Sequence, residues 1–417
     1  MIKKFTTLFA VILLMASCKG VVDIKLLQRS KALPTENDSG LASSKFTVQD
    51  VTLNDKLGGF STTLNLSYTE LNSLLATKCE VNNESKLSGS SCTCDVSGAC
   101  SVSISGSAGK LGVAHIDYRV GDDSSFSDWA KIEVNLICPS GYLKVSSSAY
   151  VNSPNDFCVM RTEAKDVLGY PAVTNSGFPI TGLDLNQAKS SCESLNILNS
   201  LVGKYNLIAN EEWMNISRKI EGNASNWSNG VIDPLNEINR GHSDLDPYAT
   251  LEISNENDLY DGTNNSSLDL PSLGWEQKRT HILEENQLIW DFSGNVWEWV
   301  DISIDSSVLT LNPGLKPYSS ANGVPTNSYL ELTSIDRLIG ENLSDFMKPE
   351  AWQPHDSTLS HDQGIGQYYA GINSSGGSLI RGGAYFEGNR AGVYAFAFDQ
   401  ESNGSGNWLG FRCVFRP

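Results

Sequence analysis

Hydrophobic and polar residues alternate in short runs between Lys45 and Ile137, and Gly, Ser, Asn and Asp divide the runs. In "CSVSISGS", "GVAHIDYRVGD" and "WAKIEVNLIC", apolar residues recur at every second position. Because successive side chains of a strand point to opposite faces, this pattern predicts short strands with one buried face. We therefore predict an all-β domain over residues 45–137.

The pattern changes after Ile137, where "CPSGY" marks a predicted domain boundary. "FCVMRTEAK" (157–165) predicts a strand, whereas residues 183–195 and 210–222 have the apolar spacing of amphipathic helices, the first with Asp184 at its N-cap. Residues 223–280 are rich in Asn, Asp, Ser and Gly, which predicts irregular structure held by tryptophans or by metal. Residues 138–417 thus form a second, α+β domain.

The C-terminal segment contains a further alternation, in which small and aromatic residues take turns from Gly392 to Asp399. As a strand, it would have one small face and one aromatic face. Two interpretations remain open, because a strand buried on both faces can have the same pattern as a strand that holds a ligand. We favour a binding surface, part of which is buried.

The first residues have the layout of a secretory signal, with basic "MIKK" before the apolar run "FTTLFAVILLMAS". Met15 to Cys18 resembles the lipobox of bacterial lipoproteins. The resemblance implies that residues 1–18 are a lipoprotein signal peptide and that Cys18 carries the lipid. Residues 19–44 are polar and predict a flexible tether. We expect a lipid-anchored protein of the cell envelope, exposed on the outer membrane. The alternative is an ordinary cleaved signal with Cys18 as a free thiol.

The charge of the chain excludes one class of partner. The 417 residues carry a formal net charge of −18 without a cluster of lysines or arginines. Such a chain repels nucleic acid phosphates and anionic lipids. We expect no nucleic acid partner, and membrane attachment through the lipid anchor only.

Cysteines predict disulfides. Eight of the nine cysteines remain when Cys18 is set aside, and an even number in an exported protein is typical of disulfide bonding. "CTCDVSGAC" (92–100) lacks the histidine or second knuckle that a metal site needs. Pairing among Cys79, Cys92, Cys94 and Cys100 stays open.

Two resemblances suggest the fold. "HIDYRV…DWAKIEVNL" resembles the last strands of an immunoglobulin-like sandwich, which implies a spacer. "WDFSGNVWEWV" (290–300), with "NEEWMNISR" before it and "RGG…GFRC" after it, resembles the formylglycine-generating enzyme (sulfatase-modifying factor) family. That resemblance implies a C-type-lectin-like fold with little regular secondary structure over residues 138–417. In such folds a bridge often joins the first helix to the last strand, which would pair Cys192 with Cys413. The next pairing we expect is Cys138 with Cys158.

The resemblance also implies structural Ca²⁺. In the enzymes, one oxygen-bearing side chain, two backbone carbonyls and the Glu of "WEW" hold the ion. Laid onto this chain, these are Asp291, the carbonyls of Gly294 and Val296, and Glu298. Mixed carboxylate and carbonyl oxygens suit calcium. The alternative is that Asp291 and Glu298 only cap turns.

Catalysis is not expected. The enzymes of this family bind copper through two cysteines, and the corresponding positions here are Glu387 and Gly392. Neither supplies the thiolate that Cu(I) prefers, so we expect no copper and no oxidase activity. No metal-binding spacing relates the five histidines, which are His115, His242, His281, His355 and His361. We expect polar structural roles for His242 and His281, which lie in the irregular region.

The tail "RGGAY…GNRAGVYAFAF…GNWLGFRC" also resembles the variable region of proteins diversified by retroelements. In the lectin-like frame this segment lies where the enzymes bind substrate, and its aromatic, Asn and Gly residues are typical of adaptable binding surfaces. We expect a surface protein that binds a protein or glycan ligand. The alternatives are an oxidative sulfatase-maturation enzyme and a purely structural envelope protein. The expected ligand-binding residues are Tyr385, Phe386, Glu387, Asn389, Tyr394, Phe396, Phe398, Gln400, Asn403, Asn407 and Trp408.

Overall fold

The computed structural model describes residues 46–417 except 71–73, 84–85, 89–91, 149–152, 154, 199–202, 264–274, 306–328, 332–358 and 373–375. The expected lipidation site Cys18, the tether and His355 lie outside the described residues. The chain divides into two compact units, one ending at Ile137 and the other formed by Ala108–Leu111 with Cys138–Pro417. Within the described part, no helix has the length and apolar character to span a bilayer.

The first unit consists of β-strands in its described residues. They are β1 (Phe46–Val48), β2 (Val51–Thr52), β3 (Lys56–Leu57), β4 (Ser61–Leu66), β5 (Tyr68–Glu70), β6 (Lys78–Asn82), β7 (Leu87–Ser88), β8 (Cys92–Cys94), β9 (Cys100–Gly106), β10 (Gly112–Gly121) and β11 (Ala130–Ile137). The alternation in the sequence is also the alternation in burial, since Ile132, Val134 and Leu136 of β11 are buried between more exposed neighbours. An all-β unit is therefore observed, and the immunoglobulin-like topology stays a prediction.

The strands of the first unit form separate sheets. One has the order β2-β11-β10-β6, with β3 also paired to β11, and another has the order β4-β9-β7, with β8 also paired to β9. Strands β1 and β5 form a two-stranded sheet. Disulfides join Cys79 to Cys92 and Cys94 to Cys100. The first of these bridges links strands of the two larger sheets, which resolves the pairing that the sequence left open.

The second unit contains two α-helices in its described residues and many short strands. The helices are α1 (Leu185–Leu198) and α2 (Asn210–Glu221). The strands are β12 (Tyr142–Val145), β13 (Phe157–Met160), β14 (Lys165–Val167), β15 (Tyr170–Ala172), β16 (Lys204–Leu207), β17 (Thr280–Ile282), β18 (Leu288–Trp290), β19 (Trp297–Asp305), β20 (Tyr329–Glu331), β21 (Gln367–Ile372), β22 (Gly376–Arg381), β23 (Phe396–Gln400), β24 (Leu409–Phe411) and β25 (Cys413–Arg416). Short 3₁₀ turns cover Ala224–Asn226, Ser228–Gly230, Trp275–Gln277, Glu284–Asn286, His361–Gln363 and Gly388–Arg390.

Both predicted helices are confirmed. At the start of α1, the Asp184 carboxylate accepts from the backbone N–H of Gln187 at 2.8 Å, and the Gln187 side chain accepts from the N–H of Asp184 at 3.0 Å. This reciprocal arrangement is a capping box that fixes the first turn. In α2, Glu212 accepts from the N–H of Ala209 at 2.8 Å and fixes the helix start in a similar way.

Two sheets organise the second unit. A four-stranded sheet has the order β12-β13-β25-β16, and a six-stranded sheet has the order β20-β21-β23-β22-β19-β24. The C-terminal segment contributes β25 to the first sheet and β23 and β24 to the second. Within these sheets β23 and β25 are interior strands, whereas β24 is an edge strand.

The predicted disulfides of this unit are confirmed. Cys192 on α1 pairs with Cys413 on β25, and Cys138 pairs with Cys158 on β13. Each of the eight described cysteines is therefore bonded to a partner.

Tryptophans fill the core of the second unit, as the sequence predicts. Trp290, Trp297 and Trp299 are at most 2% exposed. Trp213 of α2 stacks on Phe292 with ring centroids 4.0 Å apart. The irregular segment 223–280 is held partly by indole hydrogen bonds, since Trp227 Nε1 donates to the carbonyl of Glu221 at 2.8 Å. Buried aromatic side chains thus stabilise this part of the fold, which has little regular strand pairing.

Candidate ligand-binding site

The end of β22 leads into the segment that carries the candidate site. Arg381 is fully buried and donates from Nη2 to the Asn210 side chain at 2.7 Å, and from Nη1 to the carbonyl of Tyr394 at 3.2 Å. Gly382 and Gly383 follow with φ of 91° and 87°, a region that favours glycine. After these glycines, residues 384–390 lie beside loop 241–249, to which backbone hydrogen bonds join them.

Two buried ion pairs occupy the positions that the resemblance assigns to calcium. Asp291 accepts from Arg279 Nε at 2.8 Å and from Nη2 at 2.7 Å. Glu298 accepts from Arg412 Nε at 2.6 Å, and its other oxygen accepts from Nη2 of the same guanidinium. All four residues are at most 2% exposed, so each carboxylate has its charge balanced inside the core.

A third carboxylate lies close to these pairs. Glu163 accepts from Asn295 Nδ2 at 2.6 Å and from the N–H of Val296 at 3.2 Å. Burial raises the pKa of Glu163 well above its usual value, and the charges of Asp291 and Glu298 act in the same direction. The group therefore holds a proton more firmly than a free glutamate does.

These contacts test the fit of a calcium ion. Calcium takes six to eight oxygen ligands, most of them from carboxylates and carbonyls. Both oxygens of Asp291 and both of Glu298 already accept from guanidinium groups, whose positive charge repels a cation. The described residues contain no group of three or more His, Cys, Asp or Glu side chains placed to hold a metal. This arrangement does not fit the ion. Calcium binding stays a prediction from the sequence, and a chelation experiment addresses it.

Glu387 occupies the first position that the resemblance assigns to a copper-binding cysteine. Its side chain is buried, Oε1 accepts from the indole Nε1 of Trp297 at 3.2 Å, and Oε2 lies 3.1 Å from Arg390 Nε. A carboxylate in such an ion pair is a hard donor that Cu(I) does not prefer. The residue anchors the turn 385–390 to the strand that carries Trp297.

Gly392 occupies the second of these positions, and it has no space for a side chain. A Cβ atom on Gly392 would lie 2.3 Å from the backbone N of Gly366 and 2.3 Å from the carbonyl carbon of Ile365. Real Cβ contacts are essentially never shorter than 3.0 Å. The segment 365–366 therefore fills the space into which a cysteine side chain at this position would project.

The prediction of an outward aromatic face on residues 392–399 is wrong for Tyr394 and Phe396. The strand begins only at Phe396, and Tyr394 lies in the preceding turn. Tyr394 is 0% exposed and its hydroxyl donates to Glu221. Phe396 is 4% exposed and stacks on Tyr368 with centroids 5.2 Å apart. β23 pairs with β21 and β22 along its two edges. Phe396 and Ala397 point to opposite faces of the sheet and both are buried, so the alternation reflects a core strand.

The other expected residues divide by exposure. Asn389, Asn403 and Asn407 are exposed, and Gln400 is half-buried. Phe386 and Trp408 are half-buried, whereas Tyr385 is 5% exposed and contributes mainly as support. The side chain of Phe398 lies outside the described residues. The structure thus brings together Tyr385, Phe386 and Trp408, and it separates Tyr394 and Phe396 from them by burial.

A contiguous group of aromatic rings forms the exposed part of the site. Tyr385 contacts Phe386 edge-on at 5.0 Å between centroids, and Phe386 contacts Trp408 at 6.3 Å. Tyr248 contacts Tyr385 at 5.2 Å and Phe386 at 6.4 Å, and it is 69% exposed. We call these four residues the aromatic patch. Its edge-to-face geometry is a favourable one for aromatic pairs and leaves the Tyr248 ring accessible.

Tyr248 was missed by the sequence reasoning. It belongs to the irregular segment 223–280, where periodicity gives no signal. Two backbone hydrogen bonds hold its loop against the tail, from the N–H of Leu245 to the carbonyl of Tyr385 at 2.9 Å and from the N–H of Gly388 to the carbonyl of Ser243 at 2.6 Å. A tyrosine after proline in the polar stretch "SDLDPYA" was the available signal, since such a segment offers few buried places for an aromatic ring.

His242 is buried and packs against Tyr385 of the patch. Its ring is 0% exposed, stacks on Tyr385 with centroids 6.1 Å apart, and donates from Nε2–H to the carbonyl of Ala249 at 2.9 Å. Nδ1 lies 3.8 Å from Asp244 Oδ1. Burial lowers the pKa of His242 below its usual value, so the ring is neutral near pH 7. The predicted structural role agrees with these contacts.

Comparisons with known proteins give one family match and several similar solved structures. Residues 145–417 match the model of the sulfatase-modifying factor enzyme 1-like domain. Among solved structures, the chain is similar to Treponema denticola variable protein 1, with 14% identity, 66% of this chain and 92% of that chain covered, and a TM-score of 0.30. It is also similar to the Major Tropism Determinant I1 variant, with 9% identity, 74% and 84% covered, and a TM-score of 0.24. No curated protein matches the sequence.

Proposed function

We propose that this chain, which belongs to the family of sulfatase-modifying factor enzyme 1-like domains, is a non-catalytic, ligand-binding member of that family. Its second unit binds a protein or glycan ligand through the aromatic patch and the exposed asparagines beside it. The observation that carries the proposal is the accessible aromatic cluster around Tyr248 and Phe386, next to two positions that cannot supply thiolates. Aromatic anchors dominate binding energy at protein surfaces.

Three features support the absence of oxidase chemistry in this proposal. Glu387 takes part in an ion pair, Gly392 has no space for a side chain, and every described cysteine is in a disulfide. A copper site of the family type needs two free thiolates near these positions. Incubation with a cysteine-containing sulfatase peptide, copper and oxygen should yield no aldehyde. Aldehyde formation would contradict the proposal.

The proposed place of action is the cell surface, where Cys18 carries a lipid and residues 19–44 hold the folded units away from the membrane. The support is the signal-like start of the sequence. Cys18→Ser should move the protein from the membrane fraction to the soluble fraction. Retention of that variant in the membrane fraction would contradict the lipid anchor.

Binding is tested on protein and glycan arrays with the parent chain and with Trp408→Ala. We expect saturable binding that Trp408→Ala weakens by about tenfold, which corresponds to about 1.4 kcal/mol. Phe178→Ala is the matched control, because Phe178 is 58% exposed but does not belong to the patch. Equal loss in both variants, or no saturable ligand on either array, would contradict the proposed function and favour a structural envelope protein.

A further inference from the structure

The aromatic patch has acidic residues along one side. Loop 243–248 carries Asp244 and Asp246, both exposed, on either side of Leu245. Asp244 Oδ1 accepts from the N–H of Asp246 at 3.2 Å. Because the N–H of Leu245 donates to the carbonyl of Tyr385, these carboxylates are held at the edge of the patch. The two aspartates therefore lie on the same loop as Tyr248, beside the segment that carries Tyr385 and Phe386.

The two segments that form this surface, residues 241–249 and 384–410, contain one Lys or Arg residue. Between Ala384 and Gly410 the sequence contains one cationic residue, Arg390, and its Nε lies 3.1 Å from the Glu387 carboxylate. His242 Nδ1 lies 3.8 Å from Asp244 Oδ1, which is beyond hydrogen-bonding distance. The chain as a whole carries a net charge of −18. A ligand of the patch meets accessible ring faces and negative potential together.

We infer that the aromatic patch binds a basic segment of a protein partner, with a lysine or arginine side chain over the exposed ring of Tyr248 and the positive charge facing Asp244 and Asp246. This inference rests on the proposed function and adds the chemical class of the ligand. Aromatic faces attract ammonium and guanidinium groups within about 6 Å of the ring centroid, and a neighbouring carboxylate strengthens the attraction. Charge complementarity selects a basic protein over a neutral glycan at this site.

The first unit offers a precedent within the same chain. The guanidinium carbon of Arg119 lies 4.6 Å from the ring centroid of Phe126 and 4.6 Å from that of Trp129, while its nitrogens pair with Glu80. Aromatic faces and a carboxylate thus hold one arginine together in this protein. The patch presents the same types of group, and in the inferred complex the partner supplies the cation.

The test uses an array of lysine- and arginine-containing peptides beside the same peptides with citrulline for arginine and acetyl-lysine for lysine. Each replacement keeps the shape and removes the charge. The full chain is applied at low and at high NaCl, and selected peptides are measured by biolayer interferometry. We expect charged peptides to bind at least about tenfold more tightly than their neutral counterparts, and high salt to reduce this difference.

Variants locate the binding. Tyr248→Ala should weaken binding of a charged peptide by about tenfold. Asp244→Asn with Asp246→Asn should reduce the salt dependence and weaken binding, since asparagine keeps a side-chain oxygen and removes the charge. Glu193→Gln on α1 is the control, because Glu193 is also exposed and acidic but lies outside the patch. Equal unfolding temperatures of all variants establish that folding is intact.

The outcomes separate this inference from the proposed function. Equal binding of charged and neutral peptides, binding of no peptide, or saturable binding of glycans alone that Tyr248→Ala abolishes would overturn the inference of a basic partner. The last of these would leave the ligand-binding function in place. Absence of any saturable peptide, protein or glycan ligand would overturn both.

Discussion

Replacement of Gly392 by cysteine places a thiol where the enzymes of the family have one, and the structure predicts that this protein does not accept it. A Cβ atom at this position meets backbone atoms of Ile365 and Gly366 at 2.3 Å, and backbone atoms cannot move aside as a flexible side chain can. To reach the 3.0 Å limit of real contacts, segment 365–366 must shift by about 0.7 Å. The N–H of Tyr394 donates to the carbonyl of Ile365 at 3.1 Å, and this bond resists the shift.

The magnitude follows from overpacking in a core. Added atoms in a well-packed site cost typically 1–3 kcal/mol, and this contact involves backbone on both sides, so we expect Gly392→Cys to lower the free energy of unfolding by about 3 kcal/mol. For a unit of this size the corresponding fall in unfolding temperature is about 6–12 °C. Gly392→Ala should lose nearly as much, because the Cβ atom alone makes the contact.

Tryptophan fluorescence during thermal and urea unfolding measures this change, since eight of the nine tryptophans lie in residues 138–417. Gly222→Ala is the matched control. Gly222 has φ of −76° at the end of α2, and its nearest atom to an added Cβ is the carbonyl oxygen of Arg218 at 3.2 Å. The control should change the stability by a few tenths of a kcal/mol. A Gly392→Cys protein as stable as the parent, with a thiol that binds Cu(I), would refute the reasoning.

Three further predictions concern the core. Burial lowers the pKa of His281 to about 3 in the folded chain. Below pH 6.5 the unfolded chain therefore binds a proton that the folded chain does not. The free energy of unfolding falls as the pH falls from 6.5 towards 3. The expected loss at pH 5 is about 2 kcal/mol by urea unfolding, and His281→Gln should reduce it; an unchanged pH dependence in that variant would contradict the assignment. Arg279 and Arg412 donate to the carboxylate oxygens of Asp291 and Glu298, so excess EGTA should leave the unfolding temperature unchanged. A fall in unfolding temperature that added calcium reverses would establish a calcium site. Tyr394→Phe should lower the free energy of unfolding by about 1–3 kcal/mol, because the buried Glu221 loses a hydrogen-bond donor. The control Tyr248→Phe should leave it unchanged. Loss of ligand binding without loss of stability in Tyr394→Phe would argue against a core role for Tyr394.

Helix starts and strands that depend on residues close together in the chain could be predicted from the sequence. The capping box of α1 needs only Asp184 and Gln187, and the strands of the first unit need only alternation over a few residues. The Cys192–Cys413 bridge was implied by the family resemblance, and the structure contains it. The motifs around Trp290 and Trp297 predicted the fold of the second unit in the same way, through their resemblance to a family. Each of these features depends on neighbours in sequence or on a motif with a known place in a fold.

The candidate site depends on contacts between distant segments, which sequence pattern does not contain. Tyr248 reaches the patch because loop 243–248 is hydrogen-bonded to residues 385–388, more than a hundred positions later. In the same way, Tyr394 is buried because Glu221 of α2 supplies an acceptor for its hydroxyl. Burial of a tyrosine is favourable when its hydroxyl has a hydrogen-bond partner inside the protein, and such a partner cannot be read from the local sequence.

Period-two alternation has different meanings in a strand with one exposed face and in a strand with both faces covered. Phe396 and Ala397 of β23 point to opposite faces of the sheet and are 4% and 2% exposed, so neither position is available to a ligand. In the proposed function, the ligand contacts therefore come from the turns that flank the strand, which contain Phe386 and Trp408. Substitutions in these turns change what the surface offers while β23 stays intact. In the proposed function the strand supplies rigidity and the turns supply contacts, so the core stays buried when a ligand binds.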